Sequence, residues 1–159
     1  MLLQELFIPS RIKVNLESED KEEVFEELVD LLVRSFHLEG KRDAILDAIH
    51  QREQKMSTGI KTGIAVPHGK TDAIEGLYGV MGVSKKGIDY GALDGEPVYL
   101  IFLLVSSMDE SGQHLKVLKK VASLMEYTDF YKKVLETDTV EKAHSVLKQF
   151  EDILDYQET

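Results

Sequence analysis

The run Val98-Tyr99-Leu100-Ile101-Phe102-Leu103-Leu104-Val105 is the most apolar in the chain and carries no charge. Its short length and its β-branched and aromatic content predict a strand, and its lack of polar alternation predicts burial on both faces. A strand of that kind constrains everything around it. The remaining sequence has to supply helices for two sides of one sheet.

The flanking patterns meet that demand. Residues 11–16 alternate polar and apolar side chains, which predicts a half-buried strand. Ser18 is the expected N-cap of a helix reaching about Phe36, with Glu19 and Asp20 at the positive end of its dipole. Val24, Leu28, Leu31 and Leu32, with Phe25 and Phe36, form its apolar face. Glu39-Gly40 ends the pattern, and a second helix over 41–54 buries Ala44, Ile45, Ala48 and Ile49. Arg52 follows Ala48 by four residues and extends the same face. Residues 77–83 read as a second central strand, and the turn-rich stretches 87–91 and 93–96 frame a short one.

After the apolar run, 106–112 is a polar loop with Ser111 as an expected N-cap for a helix over 113–125. A short helix ending near Leu135 and a last one over 139–150, capped by Asp138, complete the chain. Strands alternating with helices predict a one-piece α/β sandwich over residues 1–159.

Composition narrows the function. With 29 acidic and 19 basic residues the net charge is −10, which lacks the basic footprint of a nucleic-acid binder. No apolar run approaches the roughly 18 residues of a membrane span, and Met1-Leu2-Leu3-Gln4-Glu5 lacks the basic region of a signal peptide. The absence of cysteine removes disulfides and thiolate chemistry and agrees with a cytoplasmic location.

The stretch most suited to chemistry runs from Ser57 through Lys70. A polar loop leads into the short apolar strand Ile64-Ala65-Val66, which stops at Pro67, and His68 and Gly69 follow at once. Proline cannot donate to a ladder, so His68 is expected just beyond a strand tip. Five histidines occur, at 37, 50, 68, 114 and 144. His37 suits a helix end, whereas His50 and His144 read as surface residues on helices. His68 and His114 each follow an apolar strand, and parallel neighbouring strands would bring them into one pocket. His114, in a first helical turn, is expected at the edge of the core.

Such a pair serves a limited set of reactions. Zinc needs a third ligand at recognisable spacing, and neither His-x-x-x-His nor His-Glu-x-x-His is present. A serine hydrolase needs Gly-x-Ser-x-Gly, which is also missing. Phosphoryl transfer through a neutral imidazole remains. Arg52 would offer a guanidinium fork, His114 a second imidazole, Ser57 and Thr58 hydroxyls, and the helix starting near Gln113 its N–H groups. No Walker-type phosphate loop exists, so the phosphoryl donor is a protein or a small phosphorylated compound rather than ATP.

Arg52-Glu53 with Ser57-Thr58-Gly59-Ile60, then Gly63-Ile64-Ala65-Val66-Pro67-His68-Gly69-Lys70, resembles the fructose/mannitol-type EIIA domain of the bacterial sugar phosphotransferase system. The resemblance continues through Gly87-Ile88-Asp89-Tyr90 and Leu93-Asp94-Gly95-Glu96-Pro97-Val98 to His114-Leu115 and Leu118. It implies a mixed β-sheet flanked by helices on both faces. It also implies that His68 carries phosphate, loaded by phospho-HPr and unloaded onto an EIIB domain, with His114 and Arg52 completing the site. No metal or cofactor is implied, and association with a membrane EIIC runs through EIIB without insertion of this chain. Lys61-Thr62 departs from the glycine and histidine or asparagine of many relatives. Three roles stay open: a sugar-transport phosphocarrier, a nitrogen-type regulator whose phosphorylation controls target binding, and a degenerate binding domain. Intact Arg52, His68 and His114 weigh against the last.

Overall fold

The computed structural model describes residues 1–59 and 61–158. Ile60, quoted above as part of the loop motif, lies outside the described residues. Five strands, β1 (Ile12–Lys13), β2 (Ile64–Ala65), β3 (His68–Lys70), β4 (Leu77–Ile88) and β5 (Val98–Ser106), make one mixed sheet. β4 and β5 are antiparallel neighbours at its centre, β1 runs parallel to β4, and both β2 and β3 run parallel to β5.

Alternation along β5 builds two cores. Leu100, Phe102 and Leu104 pack with α4 (Ser111–Leu124), α5 (Thr128–Leu135) and α6 (Val140–Glu158) through Val117, Val121, Phe130 and Phe150. Ile101, Leu103 and Val105 pack on the other side against α2 (Lys21–Phe36) and α3 (Arg42–Lys55) through Leu28, Leu32, Ile45 and Ile49. The short α1 (Leu3–Leu6) joins the first of these layers. The expected α/β sandwich with helices on both faces is therefore present. Each buried aliphatic or aromatic side chain contributes about 1.5–3 kcal/mol, so the doubly covered β5 is the energetic centre.

Several boundaries differ from the sequence expectation, each for a local reason. The first strand spans only Ile12–Lys13, because the chain then crosses the sheet edge: Val14 joins one core and Leu16 the other. The strand expected over 77–83 runs on to Ile88, with a register irregularity after Val83. Asp20, not Ser18, caps α2 by accepting from Glu23 N at 2.9 Å. The Ser18 hydroxyl instead donates to Glu27 at 2.6 Å. Ser111 is the first residue of α4 and donates to the Met108 carbonyl at 2.6 Å rather than capping. Thr139 accepts from Lys142 N at 3.2 Å and replaces Asp138 as the cap of α6. That helix continues past Phe150 because Leu154 is buried and Asp155 pairs with Lys120 at 3.0 Å.

One glycine decides where the site forms. A Cβ on Gly69 would lie 2.7 Å from the carbonyl carbon of Ala48 and 2.8 Å from its oxygen. Only a residue without a side chain lets the α3 backbone come this close to β3. The contact brings Arg52, one helical turn after Ala48, towards the strand that carries His68.

Candidate active site

β2 and β3 pair with β5 in a single register, Ala65 opposite Ile101 and His68 opposite Leu104. Pro67 interrupts the ladder as a donor, but its carbonyl still accepts from Leu104 N at 3.0 Å. His68 is thus the first residue of a resumed strand, not a residue beyond a strand tip. Its Nδ1 lies 2.7 Å from the Val66 carbonyl oxygen. A carbonyl only accepts, so Nδ1 carries the proton and Nε2 keeps its lone pair.

His114 stands on the first turn of α4, and its ring centroid is 5.6 Å from that of His68. The parallel pairing of β3 with β5 brings them together, as the sequence predicted. Its burial is deeper than expected, at 2% exposure. His114 Nδ1 bonds the hydroxyl of Ser106, the last residue of β5, at 2.6 Å, while Nε2 has no partner among the described residues.

Both imidazoles line a cavity of about 540 Å³ with Arg52, Lys55, Lys70 and Ser111. Its described lining includes three cationic side chains and no carboxylate, in a chain of net charge −10. A second hollow of about 400 Å³ shares Arg52 and His68 and is walled by Ile64, Val66, Leu118 and Met125. Burial lowers the His68 pKa below the usual histidine value, and the charges of Arg52 and Lys70 lower it further against the Val66 bond. Burial, with the neighbouring His68 and Lys70, brings His114 down to about 4. Both rings are neutral near pH 7. An anion fits this setting better than a cation.

The remaining expected site residues occupy different places. Arg52 donates from Nη1 to the Met56 carbonyl at 2.9 Å, which anchors one arm of its fork at the cavity wall. Thr58 lines the second hollow, but its hydroxyl donates to Glu53 at 2.6 Å and meets Tyr90 OH at 2.7 Å. Ser57 Oγ accepts from Gly59 N at 3.1 Å and lines neither cavity. Sequence reasoning gave no role to Glu53, Lys70, Tyr90 or Ser106. For Glu53 a signal was present: it follows Ile45 and Ile49 at four-residue spacing, a carboxylate on a buried helix face. Among the described residues no three His, Cys, Asp or Glu side chains form a metal-binding group. No described helix is long and apolar enough to cross a membrane.

The depressed His68 pKa sets a pH dependence. Uptake of an electrophilic group needs the unprotonated ring, so initial rates should be flat above about pH 6.5 and fall as the pH drops through the lowered pKa. Initial-rate labelling between pH 5 and 8 checks this, and a midpoint above the ordinary histidine value would contradict it.

Fold and site together define an α/β sandwich with a neutral histidine pair in a cation-lined cavity at the end of its sheet. The class resolves further, because the chain belongs to the family described as phosphoenolpyruvate-dependent sugar phosphotransferase system, EIIA 2, matched over residues 5–150. It is 35% identical over 149 residues to the PTS system fructose-specific EIIABC component of Bacillus subtilis (strain 168). That match covers 94% of this chain and 23% of the relative, so the chain spans under a quarter of that protein. A nitrogen regulatory protein of Bradyrhizobium diazoefficiens is 30% identical over 148 residues, covering 92% of this chain and 95% of that one. The crystal structure of the nitrogen regulatory protein IIA-Ntr from Neisseria meningitidis matches with a TM-score of 0.82 at 28% identity, over 91% and 98% of the two chains.

Proposed function

We propose that this chain is a phosphocarrier of the fructose/mannitol type, in which residues 1–159 act as one EIIA domain. His68 takes a phosphoryl group from phospho-HPr and passes it to an EIIB domain, which serves sugar uptake through a membrane EIIC. The observation that carries this reading is the Val66 carbonyl on His68 Nδ1, which leaves Nε2 as the nucleophile beside three cations. The Nε2 lone pair forms the new N–P bond while the donor's P–N bond breaks and its electron pair returns to the donor. Arg52 and the His114 Nε2–H hold the equatorial oxygens as charge shifts. Ser57 and Thr58 act on the phosphate through the loop they brace, not through free hydroxyls. The chain works in the cytoplasm, without nucleic acid.

Labelling with phospho-HPr tests the reading. One phosphate should appear, on His68, and it should be acid-labile because protonating the phosphoramidate nitrogen makes it a good leaving group. Arg52→Lys should lower the transfer rate by about tenfold or more, roughly 1.4 kcal/mol of transition-state stabilisation. A single ammonium cannot both hold the Met56 carbonyl and offer a planar fork to phosphate. Equal rates would return Arg52 to a helix-end role.

A second reading has its own support. Two nitrogen regulatory relatives match this chain over nearly their whole length, at 95% and 98% coverage. In that role the state of His68 would control binding to target proteins. Transfer from the labelled chain to a fructose-type EIIB separates the two, since a regulator would keep its phosphate.

A further inference from the structure

Arg52 and Glu53 leave α3 side by side but go to different places. Arg52 continues the line of Ala48 to the cavity wall, whereas Glu53 continues the buried line of Ile45 and Ile49. The Glu53 carboxylate sits in a residue only 8% exposed. Four donors meet it: Thr58 N at 2.9 Å, Thr58 Oγ1 at 2.6 Å, Lys21 Nζ at 3.1 Å and Tyr90 OH at 3.2 Å. Burial raises its pKa, yet the bonds from Thr58 and Lys21 outweigh this and hold it below the usual carboxylate value. An ionised carboxylate satisfied from α2, the loop and the segment after β4 is a rigid post in the sandwich.

The turn after α3 is gripped at two points by these adjacent residues. Arg52 Nη1 holds the carbonyl of Met56, and Glu53 holds the N–H and hydroxyl of Thr58, two residues on. Moving Thr58 would therefore move the carbonyl that orients the guanidinium. We propose that Glu53 is a positioning residue for phosphoryl transfer: it fixes the 56–58 turn, and the turn aims Arg52 at the group on His68. The proposal rests on the phosphocarrier reading and adds a residue that never touches phosphate. Lys21 and Tyr90 belong to the same device, since Lys21 Nζ also lies 4.8 Å from the Tyr90 ring centroid.

Glu53→Gln keeps the shape and removes the charge. Single-turnover transfer from phospho-HPr should fall by between about tenfold and a hundredfold, with the half-saturating donor concentration changed by less than about twofold. In an Arg52→Ala background the same substitution should change the rate by less than about twofold, because the aim of an absent arginine no longer matters. Tyr90→Phe removes one donor with less risk to folding and should give a smaller loss of the same kind. Independently of any transfer, the Arg52 Nε–H signal in 15N-labelled protein should be ordered in the wild type and mobile in Glu53→Gln. Unchanged Arg52 order, or losses that simply multiply in the double variant, would overturn the proposal. Failure of the wild type to accept phosphate would overturn the phosphocarrier reading instead, and the Arg52 signal would still decide the role of Glu53.

Discussion

His68→Ala is expected to reduce phosphoryl uptake from phospho-HPr to background while leaving the fold intact. The ladder contacts of residue 68 with Leu104 are made by backbone groups, which alanine retains. What alanine loses is the only imidazole in the cavity with an accessible lone pair. His114 is not expected to take over: its ring is 2% exposed and its Nδ1 is engaged by the Ser106 hydroxyl. Mass spectrometry of the labelled wild type should place the phosphate on His68. Phosphate on any other residue, or labelling of His68→Ala at the wild-type rate, would refute the assignment.

The His114 variants should separate the two half-reactions. His114→Ala should let His68 accept phosphate slowly, while transfer onward to EIIB falls more steeply. In the tautomer assigned to His114, Nδ1 accepts from Ser106, which leaves Nε2–H, without another partner among the described residues, as the donor to a phosphoryl oxygen. That donor matters most when charge on the equatorial oxygens changes as phosphate departs. His114→Gln restores an N–H and should recover part of the rate in rapid-quench assays. Wild-type rates for both steps in both variants would make His114 a packing residue only.

His114→Ala should also destabilise the protein, contrary to what a core-edge position implies. The residue is nearly fully buried, and its loss strands the hydroxyl of Ser106, itself 0% exposed. A buried hydroxyl without its partner costs about 1–3 kcal/mol, which urea denaturation can measure. The pH dependence has a definite sign. The folded-state pKa of about 4 lies below the unfolded value near 6.5, so the unfolded chain binds a proton first. Stability is full above about pH 6.5 and drains as the pH falls towards 4. His114→Gln should lack that part of the slope.

Much of this protein is local information. The unbroken apolar run of β5 demanded cover on both faces, and the helical spacing of Val24, Leu28 and Leu32 named α2 as one element that supplies it. On α4 the covering face is Val117, Val121 and Leu124, while Leu115 is 53% exposed. Pro67-His68-Gly69 marked the strand that carries the candidate nucleophile because proline, imidazole and glycine each do there what few other side chains do. Periodicity also placed Arg52 beyond Ala48 on the helix face that reaches β3. These features depend on neighbours within a turn or a strand, so the sequence alone carries them.

Tertiary structure decided the rest, because it depends on atoms brought together by packing. Whether His68 ends a strand or begins one depends on β5 offering a ladder beyond Pro67. Ser106 and His114 meet because a strand end and a helix start are folded onto each other, which buried the imidazole more deeply than its place in a first turn implied. By residue type alone Thr58 is a candidate phosphate ligand, yet Glu53 and Tyr90 claim its hydroxyl, the latter from 32 positions away. Hydrogen bonds of this kind select one partner among several of equal chemistry. That choice follows from how the two cores seat their helices on the sheet, and no pattern within a single element encodes it.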